Sequence, residues 1–261
     1  MKRTILTGIL AIAGAVSLMA QAPMPKQPAP KSKSEVEALQ ALQAAAGDPD
    51  KSIAAAENLI TKFADTEFKA IALYIEADAY QRKGDWDHML IYAERVLEAS
   101  PGDFRAMLML ANYYATRTRE NDLDREEKLG KAEKYANQVI ENMKTAPKPN
   151  PQITDEQWAD ARKDTTAEGY NAIGLANLTR KKYDVAAANF KSAVDANSQP
   201  EPAYMVREAS ALQSAGKNDE AIALCDKVTA IPNLHPQIKT VAAAIRAAAV
   251  KSGGKAPGEA K

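Results

Sequence analysis

The sequence predicts an all-α fold, a right-handed superhelical solenoid of about five helix pairs with a C-terminal capping helix. Three observations carry this reading. The first is a recurrence at about 34 residues, the spacing of stacked helix–turn–helix units. Leu73, Ala77, Tyr80, Gly84, Trp86, Met89, Ala93, Val96, Leu97 and Pro101 form one unit, and Met107, Ala111 and Tyr114 open the next. Tyr170, Ile173, Gly174, Tyr183, Ala186, Phe190, Ala193 and Val194 form a later unit, which Met205, Ala209, Leu212, Gly216, Ala221, Cys225 and Val228 repeat. The second is composition: 46% of the 261 residues are hydrophobic but only 6% aromatic, which suits helices packed through small side chains. The third is where the small residues fall. Ala77, Ala111, Gly174 and Ala209 share one position of the first helix of each pair, and Ala132, Ala186 and Ala221 share one of the second. A bulky side chain at Gly174 should overpack its crossing.

The elements follow in order. Lys2 and Arg3 precede an uncharged apolar run, Thr4 to Ala20, and the small-residue site Ala20-Gln21-Ala22. Residues 1–22 therefore read as a secretory signal peptide, the run being short for a transmembrane helix. Cleavage after Ala22 places Pro23 beside the cut, and cleavage after Ala20 places Leu18 where a small residue is preferred. The alternative is thus a signal retained as an N-terminal anchor. Residues 23–34, with Pro23, Pro25, Pro28 and Pro30 among Lys26, Lys31 and Lys33, form a stiff solvated linker. The solenoid spans 35–250, with pairs at about 35–66, 67–103, 104–145, 152–198 and 201–231 and a cap at 236–250. Residues 251–261 read as a flexible tail.

The breaks between helices are Gly47-Asp48-Pro49, Lys83-Gly84-Asp85 and Ser100-Pro101-Gly102-Asp103. The third pair carries an insertion. Tyr114 to Ala132 spans 18 residues where Tyr80 to Met89 spans 9, so a charged excess lies at about 119–129. It reads as a solvated loop or an extended helix end, or as a binding elaboration of one face. Ala146 to Pro151 is a proline-rich connector, and Thr154 with Gln157 forms a capping-box pattern. Trp158 follows, either as a staple of the connector or as an exposed aromatic anchor for a partner.

Bulk charge excludes some functions. Lys plus Arg and Asp plus Glu each number 34, which argues against nucleic acid as the partner. Without Lys2 and Arg3 the balance is 32 basic to 34 acidic. Cys225 is the one cysteine, at a helix packing position, so it reads as a small buried hydrophobe and no intramolecular disulfide can form. His88 and His235 are the only histidines and lie far apart in sequence. Asn121-Asp122-Leu123-Asp124 is only a fragment of a Ca²⁺ loop, lacking its glycine. The chain has neither a phosphate-binding Gly-rich loop nor a Gly-x-Ser-x-Gly elbow. The expectation is a non-enzymatic protein with no cofactor and no metal.

On the repeating residues above, the chain resembles an exported bacterial tetratricopeptide repeat protein. The resemblance covers about 35–250 and is most specific in the fourth and fifth pairs. It implies a concave surface that binds another protein, and nothing catalytic. Mapped onto this sequence, it implies that Tyr74, Asp78, Gln81, Leu108, Asn112, Asn171, Leu175, Leu178, Val206, Ser210 and Gln213 face the groove. These residues are mixed and mostly neutral. Asn112 fits one position of the family's carboxylate clamp, but the basic partners are missing, so an extended or helical peptide held by apolar and amide contacts is the expected ligand. The functional expectation is a periplasmic or secreted scaffold for a protein partner of the cell envelope. The alternatives are an accessory factor of outer-membrane or envelope assembly and a self-associating structural protein.

Overall fold

The computed structural model describes residues 28–150 and 152–255. The expected signal peptide, residues 23–27 of the linker and 256–261 of the tail lie outside the described residues. Among the described residues the chain forms eleven helices and no strand. These are α1 (Lys33–Ala44), α2 (Pro49–Lys62), α3 (Lys69–Lys83), α4 (Trp86–Ala99), α5 (Phe104–Arg117), α6 (Arg125–Thr145), α7 (Asp155–Thr179), α8 (Tyr183–Ala196), α9 (Pro202–Ser214), α10 (Asn218–Thr229) and α11 (Pro236–Lys251). They pair as the sequence spacing requires, α11 being the unpaired last helix. The fold is an all-α helical repeat.

The turns inside three pairs share one geometry. A residue within two positions of the end of the first helix takes a left-handed conformation, with φ 75° at Gly84, 60° at Lys181 and 80° at Gly216. In each case the next residue donates back to a carbonyl five positions earlier: Asp85 to Tyr80, Lys182 to Asn177, Lys217 to Leu212. This satisfies a carbonyl that the helix end leaves without a partner. Gly adopts the conformation without steric cost, and at Lys181 a side chain bears it. The second helices begin on side-chain caps where the sequence supplies them. Asp48 accepts from the backbone N–H of Asp50 and Lys51 ahead of Pro49, and Asp85 accepts from that of His88.

The described residues divide into two compact units, one within 28–106 and 146–155 and the other within 107–145 and 156–255. In the first unit, Leu39, Leu42, Ala56, Leu59, Phe68 and Ala72 form a buried cluster from α1, α2 and the start of α3. Leu73, Val96 and Ala106 form another, with Tyr74 and Tyr92 against it. The described end of the linker is tied to this unit: Ala29 N donates to Glu67 (3.1 Å), and Lys31 Nζ pairs with Asp65 (2.8 Å). Ser32 then caps α1 by accepting from Glu35 N.

In the second unit the core is built over small residues. Ala111, Ala132, Ala136, Ala172, Ala176, Ala186, Ala209 and Ala221 are fully buried. Phe190 is also fully buried and lies directly over Gly174. A Cβ added at Gly174 would stand 2.6 Å from Phe190 Cε1. A Cβ added at Gly169 would stand 2.9 Å from Ile140 Cγ1, so α6 and α7 also meet over a glycine. Val206, Val228 and Ala242 join α9, α10 and α11, with Ile238 and Ile245 packed against them. The last described residues return to α10: Lys255 N donates to Asp219 (2.7 Å) and Asn218 donates to the Ser252 carbonyl (3.2 Å).

The crossing of α7 and α8 yields a test. Gly174→Ala should lower stability by about 1–3 kcal/mol, because Phe190 must leave its position. Phe190→Leu alone should destabilise by opening a void. The double variant should lose less than the sum of the two, since the smaller ring-free side chain leaves room for the methyl. Urea unfolding of the four proteins measures the coupling, and strict additivity would contradict the packing described.

Candidate protein-binding surface

The sequence-mapped residues all lie on first helices of pairs. Their surroundings divide them into two groups. Asn171 and Val206 are 7% and 8% exposed, so they have little side-chain surface to offer a partner and leave the set. Arg207 of the next first helix reaches back and donates to Asn171 Oδ1 (2.5 Å). Val206 belongs to the α9–α10–α11 core. Leu175 and Leu178 pack at the edge of the cluster that contains Phe190, Leu212 and Ile222. Tyr74 packs beside Leu73 and Val96, and its ring lies 4.5 Å from the Arg105 guanidinium. Arg105 is itself fixed by Asp103, with Nη2 at 2.6 Å and Nε at 3.2 Å. Asp103 also caps α5, accepting from the backbone N–H of Arg105 and Ala106. Tyr74 is therefore a wall held in one orientation rather than a free aromatic.

The remaining residues are half-buried or exposed and carry the polar chemistry. In the first unit these are Asp78, paired with Arg82 one turn on (2.9 Å), and exposed Gln81. In the second unit they are Leu108 and Asn112 on α5, and Ser210 and Gln213 on α9. Among the described residues, the side chains of Gln81, Asn112, Ser210 and Gln213 have no hydrogen-bond partner within the protein. An amide that is half out of water with unused donors and acceptors can bond a backbone or side chain laid against it.

The charged insertion is not free to act as a binding arm. It divides between a short loop at 118–124 and extra turns at the start of α6. Its charges are spent inside the second unit. Glu120 pairs with Lys181 (2.5 Å), and Asp122 accepts from Arg119 N and meets Lys128. Arg180, with a side chain only 9% exposed, bridges Glu126 (2.8 Å) and Glu133 (2.7 Å), and Glu133 also accepts from Asn177. Hydrogen bonds hold three of these carboxyls below the usual carboxylate range: from Lys181 to Glu120, from the Arg119 backbone N–H and then Lys128 to Asp122, and from Arg180 to Glu126. Leu123 is the exception, fully exposed at the loop tip. Trp158 is 6% exposed, so it serves packing and does not stand out as an anchor.

Groups able to do chemistry sit apart. Cys225 is fully buried, and burial pushes its thiol up. His88 stacks on Tyr80 (4.8 Å) and bonds Asp85, and His235 caps α11. Among the described residues, no three His, Cys, Asp or Glu side chains converge as metal ligands, and no helix is long and apolar enough to cross a membrane.

Residues 171–235, which run from α7 to the start of the last helix, match the tetratricopeptide repeat family. The match covers about a quarter of the 261 residues. A crystal structure of a thermophilic tetratricopeptide repeat protein from Thermus thermophilus is similar in fold, with a TM-score of 0.54 and 19% identity. The similarity covers 81% of this chain and 98% of that one. No curated protein matches the sequence. The structural similarity shows a shared helical-repeat fold. The matched stretch contains both Ser210 and Gln213.

Sequence reasoning missed one residue of interest. Glu76, on α3, is 1% exposed, and neither carboxylate oxygen has a hydrogen-bond partner. It lines a cleft of about 250 Å³ with Glu57, Ile60, Thr61, Tyr92 and Arg95. Burial first, and then the charge of Glu57, push its pKa up to about 8 from an ordinary 4.5. Glu35 shows what a satisfied counterpart looks like. It is equally buried but accepts from Thr66 Oγ1 (2.6 Å) and Lys31 N (2.6 Å).

Glu76 sets a pH dependence. Between about 4.5 and about 8 the folded state keeps a proton that the unfolded chain has lost. The unfolded state therefore binds fewer protons, and stability falls as pH rises through that window and levels off above it. Glu76→Gln removes this fall, so its stability advantage over wild type should grow by a few kcal/mol from about pH 5 to about pH 8. Urea unfolding of both proteins at the two pH values measures it, and parallel pH profiles would contradict the burial of an unpartnered carboxyl.

Proposed function

We propose that this protein is a non-enzymatic scaffold of the bacterial periplasm or cell envelope that binds a partner protein or peptide along its first helices. The observation that carries the binding part is the set of half-buried or exposed amide and hydroxyl side chains on first helices, Gln81, Asn112, Ser210 and Gln213. Two of them fall in the stretch that matches the repeat family. In the first unit the oriented ring of Tyr74 supplies apolar surface on the helix that carries Gln81, and in the second unit Leu108 does so on the helix that carries Asn112. Such a surface suits an extended or helical peptide through amide and apolar contacts. The location rests on Lys2 and Arg3, the apolar run to Ala20 and the small residues at Ala20 to Ala22.

Two measurements test the two parts. Full-length protein carrying a C-terminal tag, expressed in a Gram-negative host, should be recovered from the periplasm lacking its first ~20 residues by intact mass. Recovery at full mass from membranes would fit a retained anchor, and full mass in the cytoplasm would refute export. For binding, the chain from Pro23 onward is crosslinked mildly in the envelope fraction of the source organism, beside a bait with Gln81→Glu, Asn112→Asp and Gln213→Glu. These exposed changes leave the core intact. A partner enriched by the first bait should lose at least about tenfold in capture with the second. Equal capture by both baits would remove the first-helix surface from the binding role.

A further inference from the structure

The cleft over α3 has the features of a binding site on a different face from the first-helix surface just described. Glu76 is two residues from both Tyr74 and Asp78, about 200° around the helix at 3.6 residues per turn. Its walls are Glu57, Ile60 and Thr61 from α2 and Tyr92 and Arg95 from α4, so the second helices of two adjacent pairs close over it. The carboxyl at its floor is buried and wholly unpartnered. A buried polar group in that state is destabilising unless something bonds to it.

The lining selects the ligand. Two carboxylates, a hydroxyl and an aromatic ring face one guanidinium. Arg95 lies over the Tyr92 ring (4.9 Å) and makes no hydrogen bond to Glu76. With Glu76 ionised, two carboxylates face one guanidinium and the deficit is of positive charge, which disfavours an anion. Three carboxylate, histidine or cysteine ligands do not converge here, so a divalent metal is poorly served. An alkylammonium is well served. Its three N–H donors match the Glu76 and Glu57 carboxylates and the Thr61 hydroxyl, and its charge is attracted to an aromatic face such as Tyr92. We propose that the cleft bounded by α2, α3 and α4 binds a primary ammonium group, with Glu76 as its principal acceptor, Glu57 and Thr61 as second acceptors and Tyr92 as an aromatic wall.

The site has a built-in pH response. The ligand needs Glu76 ionised, and the free protein holds it protonated through neutral pH. Glu57 on α2 reinforces that protonation, and Arg95 on α4 opposes it. Tyr80 and Tyr92 stay neutral, burial and the same carboxylates pushing their hydroxyls up. Binding therefore releases a proton below about pH 8 and strengthens as pH rises toward that value.

The ammonium could come from a lysine side chain of a polypeptide or from a free amine, and the test separates them. Amide shifts of the full-length ¹⁵N-labelled protein are followed against Nα-acetyl-lysine methylamide, cadaverine and Nα-acetyl-norleucine methylamide, at about pH 6 and about pH 8.5. Saturable shifts at Glu57, Thr61, Glu76 and Tyr92 are expected with both amines and none with norleucine. Tighter binding of the lysine derivative would assign the site to a polypeptide, and tighter cadaverine to a free amine. Affinity should rise at least about tenfold between the two pH values. Glu76→Gln should abolish the pH dependence and weaken binding about tenfold, and Arg95→Met should strengthen it. Glu57→Gln, at an exposed position, gives a weakening of a few-fold that no folding defect can mimic. An equal response to norleucine, a pH-independent affinity, or no change with Glu76→Gln and Glu57→Gln would each overturn the proposal.

Discussion

The close approach of paired helices over small side chains is the constraint on which the rest of this structure depends. At Gly174 the ring of Phe190 occupies the space where a methyl would be, and at Gly169 Ile140 does the same. Ala77, Ala111 and Ala209 serve the equivalent first-helix position and are fully buried. Small residues set the distance, and larger neighbours such as Phe190 and Leu212 fill what remains. Within each unit the buried clusters draw on more than one pair, so a helix there is stabilised by the neighbouring pair as well as by its own partner.

That frame decides what the surface can do. Residues one, three and four positions away from the crossing are held at fixed height, and their exposure depends on how far the next first helix reaches. Asn171 is covered because Arg207 spans the gap to it, whereas Ser210 and Gln213 remain half out of water. The insertion shows the same economy of charge: Arg180, Lys181 and Lys128 take up Glu126, Glu133, Glu120 and Asp122. Glu35 is likewise bonded twice. Against that background Glu76 stands out, a buried carboxyl with nothing bound to it.

Much of this was legible in the sequence. The pair boundaries follow from the recurrence of Ala and Gly, and from turn residues such as Gly84 and Gly216 that take the left-handed conformation. Lys181 takes it without being a glycine, and there the neighbouring repeat supplied the alignment. Cys225 as buried filler was equally readable from its position. Less legible was the length of α6, because the charges at 119–129 read alike as loop and as helix. The same applies to Asn171 and Val206, which the family pattern places on an open face. Their burial depends on Arg207 and on α11, contacts made across whole repeats that residue type does not encode. Glu76 reads in sequence as one more solvated charge, and only the closure of α2 and α4 above it reveals otherwise.

The central claim is that pairs in this repeat depend on their neighbours, through crossings that admit no added volume. Hydrogen exchange of the full chain carrying Ala209→Leu tests it most directly. Ala209 is fully buried, and an isobutyl group there forces α9 away from the helices it contacts, α8, α10 and α11. The account predicts that amide protection falls together across α8, α9, α10 and α11. A loss confined to α9, with its neighbours as protected as in the wild type, would contradict it.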